Sequence, residues 1–238
     1  ALLSSLGAVG AAGLAGCTGN NQDDGTTTNG NDGDMTGTTQ TTTTDVSGTV
    51  KVGVMQPISG DLRYYGKQSL WGFLSGLAYK AGGKPKTGVK TGTTTVSVGD
   101  VDFELHVRDT KFSAKQAQQL ATNLAQQDVD VLFGCASSGA ANRVIKTVAK
   151  QTGTPYVAGP AASAGVTSTG ETCAPNVFRA SENTAMDARS GGKYVANQTD
   201  VSKVFLFGAD YSFGKAVVNN YEDVLKQEGV EIVGKKFV

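Results

Sequence analysis

The chain has 238 residues, with 21 Lys+Arg against 21 Asp+Glu, a formal net charge of zero, and 39% hydrophobic residues. That balance weighs against a nucleic-acid binder, which needs a basic excess to displace counterions from phosphates. Beyond residue 17 no segment approaches the about 20 apolar residues of a membrane-spanning helix, so enough chain remains for a globular body with a sizeable core.

Residues 1–15 are Ala, Leu, Gly, Val and Ser without a single charge, and they run into Leu14-Ala15-Gly16-Cys17. The pattern reads as the apolar region of a secretory signal followed by small residues at a cleavage point. Leu-Ala-Gly-Cys resembles the lipobox of prokaryotic lipoproteins, in which the cysteine carries lipid, so residues 1–17 are expected to be signal and lipobox with Cys17 as the lipid attachment point. The plainer alternative is an Ala/Gly helix ending at an ordinary cysteine. No initiator Met and no basic residue precede the apolar run, so the front is expected to be clipped. Residues 18–47 are dominated by Thr, Asn, Gly and Asp, and such a composition buries too little apolar surface to offset ordering entropy. They are expected to form a disordered Thr-rich tether.

From residue 48 the pattern alternates strand and helix. Val50, Val52 and Val54 alternate with Lys51 and Gly53 as in a strand, stopped by Gln56-Pro57. Leu70, Leu74, Leu77 and Ala78 predict a helix over residues 67–79. The Lys80, Lys84, Lys86, Lys90 cluster lies among Gly, Pro and Thr and reads as a solvated loop. Val101, Phe103, Leu105 and Val107 alternate as the next strand; a helix follows over 113–127, with Ser113 as its N-cap. A strand at 129–133, a helix at 138–151 and a strand at 155–158 continue the series. After Asn176-Val177-Phe178-Arg179 it restarts: helix 184–197, strand 204–207, helix 213–228, strand 230–238. Such alternation implies an α/β fold with parallel sheets covered on both faces, and ligands in such folds bind outside the carboxyl ends of the strands. The loops to inspect are 56–66, 109–113, 134–138, 159–167 and 208–214.

Those loops carry a set of residues in a familiar order. Val52-Gly53-Val54-Met55-Gln56-Pro57-Ile58-Ser59-Gly60 with Tyr65-Gly66 resembles the opening of branched-chain amino-acid binding proteins. Arg108-Asp109, Cys135-Ala136-Ser137-Ser138, Pro160-Ala161-Ala162-Ser163, Asn176-Val177-Phe178-Arg179 and Gly208-Ala209-Asp210-Tyr211-Ser212-Phe213-Gly214 follow in register. Residues 49–238 therefore resemble the periplasmic-binding-protein type I family, in particular the substrate-binding lipoproteins of ABC importers for Leu, Ile and Val. The resemblance implies a two-lobe parallel-sheet sandwich, with lobe 1 at 48–180, a crossover near 178–183, and a lobe 2 at 181–238 that is truncated in this chain. It also implies capture of an amino acid, branched-chain or similar, at the outer face of the cytoplasmic membrane, with permease and ATPase subunits as partners and no cofactor.

On that template Ser138 matches the carboxylate-binding serine, suited by its position at a helix start, where amides and dipole favour an anion. Ser163 matches a Ser or Thr on the ammonium and carboxylate, and the Ala161 carbonyl an acceptor for the ammonium. Tyr65 matches an aromatic at the cleft mouth, and Tyr211 or Phe213 one in lobe 2. The structural alternatives stay open: Ser138 as a plain N-cap, Ser163 as a turn serine, Phe213 as packing. The family's acidic partner for the ammonium is expected beyond the end of this chain. Cys135 and Cys173 remain as an even pair in an exported chain, either bridged or as two buried thiols.

An enzyme is not expected. Around Ser137 and Ser138 the glycines do not make a nucleophile elbow; His106 is the only histidine and falls in a strand; neither metal-ligand spacing nor a phosphate loop occurs. The rival readings are a ligand-sensing receptor domain of the same fold, a binder of amide- or urea-type solutes, and a surface protein whose cleft has lost its ligand.

Overall fold

The computed structural model describes residues 47–84, 88, 90–168 and 170–238. Signal, lipobox and all but the last residue of the tether lie outside these, as does Lys86. In chain order the elements are β1 (Gly48–Gln56), α1 (Arg63–Lys80), β2 (Gly92–Val98), β3 (Val101–Asp109), α2 (Ala114–Gln126) and β4 (Val131–Gly134). Then come α3 (Ser138–Val144), prolonged by a π-helical stretch Ile145–Ala149 into the closing turn α4 (Lys150–Thr152), β5 (Tyr156–Ala158), the short α5 (Gly165–Ser168) and β6 (Val177–Arg179). The last part is α6 (Thr184–Gln198), β7 (Lys203–Gly208), α7 (Ser212–Gln227) and β8 (Glu231–Phe237).

Two sheets result, one six-stranded in the order β2-β3-β1-β4-β5-β6 and one of the pair β7-β8. From β3 to β6 every pairing in the larger sheet is parallel, and β7 and β8 are parallel too. The α/β class read from the alternation is therefore what the chain adopts. One strand departs from it: β2 joins β3 as an antiparallel edge. Residues 92–98 are rich in β-branched Thr and Val, which suits a pleated edge, but their weak apolar alternation beside the lysine-rich loop predicts no strand.

The sheet's two faces sort the apolar residues by their alternation along β1. Val52 and Val54 pack with Leu70 and Leu74 of α1 and with Leu105 and Val107 of β3. Met55 belongs to the opposite cluster, with Ala117 and Leu124 of α2, Val144 and Ile145 of the α3 helix, and Tyr156. Each such fully buried leucine contributes about 1.5–3 kcal/mol. Helix α1 begins at Arg63, four residues before the expected start, and it sits very close to the preceding loop. A Cβ on Gly66 would lie 2.1 Å from the Pro57 carbonyl oxygen, so only glycine fits there.

β1 stands between β3 and β4, so the chain leaves it toward one side and later returns on the other. Such a switch in strand order opens a crevice at the carboxyl ends, and here that is the edge where β1, β4 and β5 finish. Around the smaller sheet α6 and α7 pack tightly, since a Cβ on Gly191 would meet the Tyr221 hydroxyl at 2.2 Å.

Candidate ligand-binding site

Three side chains fix the loops at the carboxyl edge. The Asp109 carboxylate, at the end of β3, accepts hydrogen bonds from the amides of Ile58 (2.9 Å), Ser59 (3.3 Å) and Lys111 (2.9 Å) and from the Ser59 hydroxyl (2.5 Å). Burial raises the pKa of this carboxyl, but the hydrogen bonds outweigh it and hold the group below its ordinary value. Gln56, fully buried at the end of β1, donates through Nε2 to the Ser69 hydroxyl and to the Gly159 carbonyl. Arg179, at the end of β6, donates to the carbonyls of Ala161 and Ser163, both at 2.7 Å, and to the Thr167 hydroxyl at 3.3 Å. Burial lowers its pKa, opposed by the charge of Glu182.

The same loop is tied to α6. The Thr184 amide donates to the Ala162 carbonyl at 2.8 Å, and the Thr184 hydroxyl accepts from the Ala164 amide at 3.0 Å. Asn183, the N-cap of α6, accepts from the amides of Ala185 and Met186. Segment 159–167 is thus clamped by β6 from one side and α6 from the other.

Ser138 and Ser163 meet directly. The Ser163 amide donates to the Ser138 hydroxyl oxygen at 3.1 Å, and both residues are buried. Since that oxygen is accepting, its own proton remains to be donated. The N-cap of α3 is Ser137, whose oxygen accepts from the Ala140 amide at 3.3 Å; Ser138 is the first helical residue. Its hydroxyl is therefore not spent on capping. The Ala161 carbonyl already accepts from Arg179 and keeps one lone pair.

A hollow of about 300 Å³ includes Ala136 and Ala162, sequence neighbours of this pair, in its lining. Tyr65 of α1, Tyr211 before α7 and Phe213 of α7 line it together with Leu62. Ala136, Pro160 and Ala162 come from the ends of β4 and β5, and Glu182 from the segment after β6. Tyr211 sits edge-on to Phe112, with ring centroids 5.7 Å apart, and 6.1 Å from the ring of Phe213. Burial raises the Tyr211 phenol pKa, and the neighbouring Tyr65 adds to it. The N-termini of α3 and α7 approach here as well: a Cβ on Gly139 would lie 3.3 Å from the Ser212 hydroxyl oxygen.

The three aromatics singled out in the sequence thus share one cavity. Ser138, Ser163 and Ala161 are not among its lining residues, although each is one or two residues in sequence from one. Glu182, Arg179 and Asp109 were not assigned roles from sequence. The first two fall in or beside the expected crossover at 178–183, outside the loops chosen for inspection. An acid three residues after the end of β6 was the available signal for Glu182.

Of the two possibilities left open for Cys135 and Cys173, the bridge between them is not formed: Cys135 is a free, fully buried thiol. Its amide donates to the Tyr156 hydroxyl at 2.9 Å, and its side chain packs in the apolar cluster under β4 and β5, which takes the sulfur inward. Burial pushes its pKa up to about 12. Among the described residues no group of three His, Cys, Asp or Glu is arranged to hold a metal ion, and no helix is long and apolar enough to cross a membrane. His106 is on β3, paired with Glu104 at 2.7 Å.

The chain belongs to the periplasmic binding protein family, whose model matches residues 49–238. Its fold is that of the solute-binding proteins of ABC transporters. One similar solved structure is such a protein from Rhodopseudomonas palustris BisB5 in complex with 3,4-dihydroxy benzoic acid, with 23% identity and a TM-score of 0.66 over 80% of this chain and 47% of that one. Another, from R. palustris in complex with benzoate, has 26% identity and a TM-score of 0.66 over 80% of this chain and 48% of that one. A leucine binding protein from Thermotoga maritima has 20% identity and a TM-score of 0.60 over 79% and 49%. The chain spans about half the length of these structures. No curated protein matches it at a significant level.

Proposed function

We propose that this chain belongs to an exported solute-binding protein that captures an amino acid, branched-chain or similar, and delivers it to the permease and ATPase subunits of an ABC importer. In this reading Cys17 carries the lipid that holds it at the outer face of the cytoplasmic membrane, residues 18–47 are the tether, and residues 48–180 and 181–238 belong to two lobes that close on the solute. The observation that carries it is the hollow of about 300 Å³ on which Tyr65, Tyr211 and Phe213 converge, with the hydrogen-bonded Ser138–Ser163 pair one or two residues in sequence from its lining residues Ala136 and Ala162. Aromatic walls bury an apolar side chain, while a hydroxyl proton and the start of a helix suit a carboxylate. A second reading, capture of an aromatic acid, is favoured by the benzoate complex at 26% identity and by the same rings, which suit a flat solute.

The test is calorimetric titration with L-leucine and with benzoate, on the wild-type chain and on Ser138→Ala and Ser163→Ala. Leucine binding that each substitution weakens about tenfold supports the amino-acid reading. Affinity unchanged in both variants removes the serines from the site, and binding of benzoate alone favours the aromatic acid. Ser138→Ala also leaves the buried Ser163 amide unpaired, so the folded fraction of each variant is measured first by circular dichroism.

A further inference from the structure

We propose that the outer side of α1, with the basic loop that follows it, is a docking surface for an anionic lipid bilayer. It is separate from the solute hollow and does not depend on lipid at Cys17.

Charge is segregated along this chain. Between Asp61 and Asp100 there is no Asp or Glu, while Arg63, Lys67, Lys80, Lys84, Lys86 and Lys90 all fall in that interval, in a chain of zero formal net charge. Lys86 lies outside the described residues. None of the other five forms an ion pair among the described residues, and Lys80, Lys84 and Lys90 are exposed. Lys90 and Leu74 of α1 line one cavity of about 550 Å³ beside β2, so the end of the loop lies along the flank of the helix.

Helix α1 is apolar on both sides. Its inner side buries Leu70, Leu74 and Ala78. At 3.6 residues per turn, positions 64, 68, 71, 75 and 79 form one line on its outer side. That line holds Tyr64, Gln68, Trp71, Ser75 and Tyr79, without a charge, and its three aromatics are 62%, 38% and 79% exposed. A Cβ on Gly72 or Gly76 would meet nothing within 4 Å, so the helix surface between the rings is bare. A helix with apolar residues on both sides is ordinarily covered on both.

The composition of this surface points to what covers it. Exposed Trp and Tyr flanked by Lys and Arg suit the boundary between headgroups and acyl chains, where rings sink in and ammonium groups stay among phosphates. A protein partner would have to match carboxylates to lysines spread over a helix end and a loop. A bilayer rich in phosphatidylglycerol presents negative charge everywhere and needs no such register, and each cation near it strengthens binding about fivefold.

Trp71 is the chain's single tryptophan, so its fluorescence reports this face alone. The whole 238-residue chain is mixed with vesicles of phosphatidylglycerol and phosphatidylcholine, or of phosphatidylcholine only, with and without brominated acyl chains. Residues 1–15 are uncharged, and any insertion through them depends little on lipid charge. The expected result is a blue shift of Trp71 and its quenching by brominated chains in the anionic vesicles only, reversed as NaCl rises from about 0.05 to 0.5 M. The triple variant Lys80→Glu, Lys84→Glu, Lys90→Glu, its fold checked by circular dichroism, should weaken anionic-vesicle binding at least about a hundredfold. Vesicle binding without a shift or quenching of Trp71 overturns the proposal, as does equal binding to both vesicle types. A shift produced as strongly by poly-L-glutamate assigns the face to an acidic protein and also overturns it.

Discussion

Asp109 organises the loop after β1, and its removal has a calculable consequence. Its Oδ1 accepts three amide hydrogens, from Ile58, Ser59 and Lys111, and its Oδ2 accepts the Ser59 hydroxyl. Asp109→Asn can keep a carbonyl oxygen at the Oδ1 position, so it retains three bonds at neutral strength and loses the charge. Hydrogen bonds to an ionised partner exceed neutral ones by about 1 kcal/mol. The group is only partly buried, so solvent screening reduces the total, and a loss of about 1 kcal/mol is expected. Asp109→Ala removes all four bonds and should cost about 2–3 kcal/mol. Because the folded pKa is depressed, the stabilisation is fully present above the unfolded carboxylate pKa of about 3.9 and disappears as pH falls through the folded value. Urea titration at pH 7 should therefore separate wild type from Asp109→Asn, with the gap closing as the pH drops below about 4. Equal midpoints at pH 7, or a gap that persists undiminished in acid, would refute a carboxylate clamp.

Other substitutions test the packing. Gly66→Ala forces a Cβ to 2.1 Å from the Pro57 oxygen, a backbone clash, and should cost about 2–4 kcal/mol by thermal unfolding; Gly72→Ala in the same helix meets nothing within 4 Å and should stabilise by about 0.5–1 kcal/mol. Arg179→Met strips the charged donor from the Ala161 and Ser163 carbonyls, and a destabilisation of about 2 kcal/mol is expected in urea, with weakened binding of whichever probe the wild type takes. Arg179→Met with wild-type stability would show that the guanidinium does not hold the loop. Cys135, with its thiol near pKa 12, should resist iodoacetamide at pH 8 in the native protein and be alkylated once the chain is unfolded in denaturant without reductant, as read by mass spectrometry; protection in the denatured chain would restore a disulfide.

Alternation made the fold readable because it reports burial directly. Val52 and Val54 against Lys51 mark the strand, Leu70 and Leu74 one turn apart mark the helix, and in the fold these four residues pack together. Residues 92–98 escaped because an edge strand of threonines has little apolar signal, and its pairing with β3 depends on the hairpin between them. The cleft aromatics were readable from their loops. What was not readable is which donors the fold uses up. Ser137 and Ser138 are adjacent and chemically identical, yet one caps α3 while the other receives the Ser163 amide, a partner 25 residues away. Nor does a pair of cysteines reveal that one of them turns inward beneath Tyr156.

The clamps explain why this edge can serve as a binding surface. Loop amides and carbonyls left to water would lose part of any binding energy to the cost of ordering them. Here Asp109 orders the loop after β1, Arg179 and Thr184 order segment 159–167, and Gln56 ties β1 to the Gly159 carbonyl between them. None of these four side chains lines the hollow, and together they occupy polar groups that would otherwise compete with a solute. The polar residues among its described lining are few: two tyrosines and one glutamate, with the rest apolar.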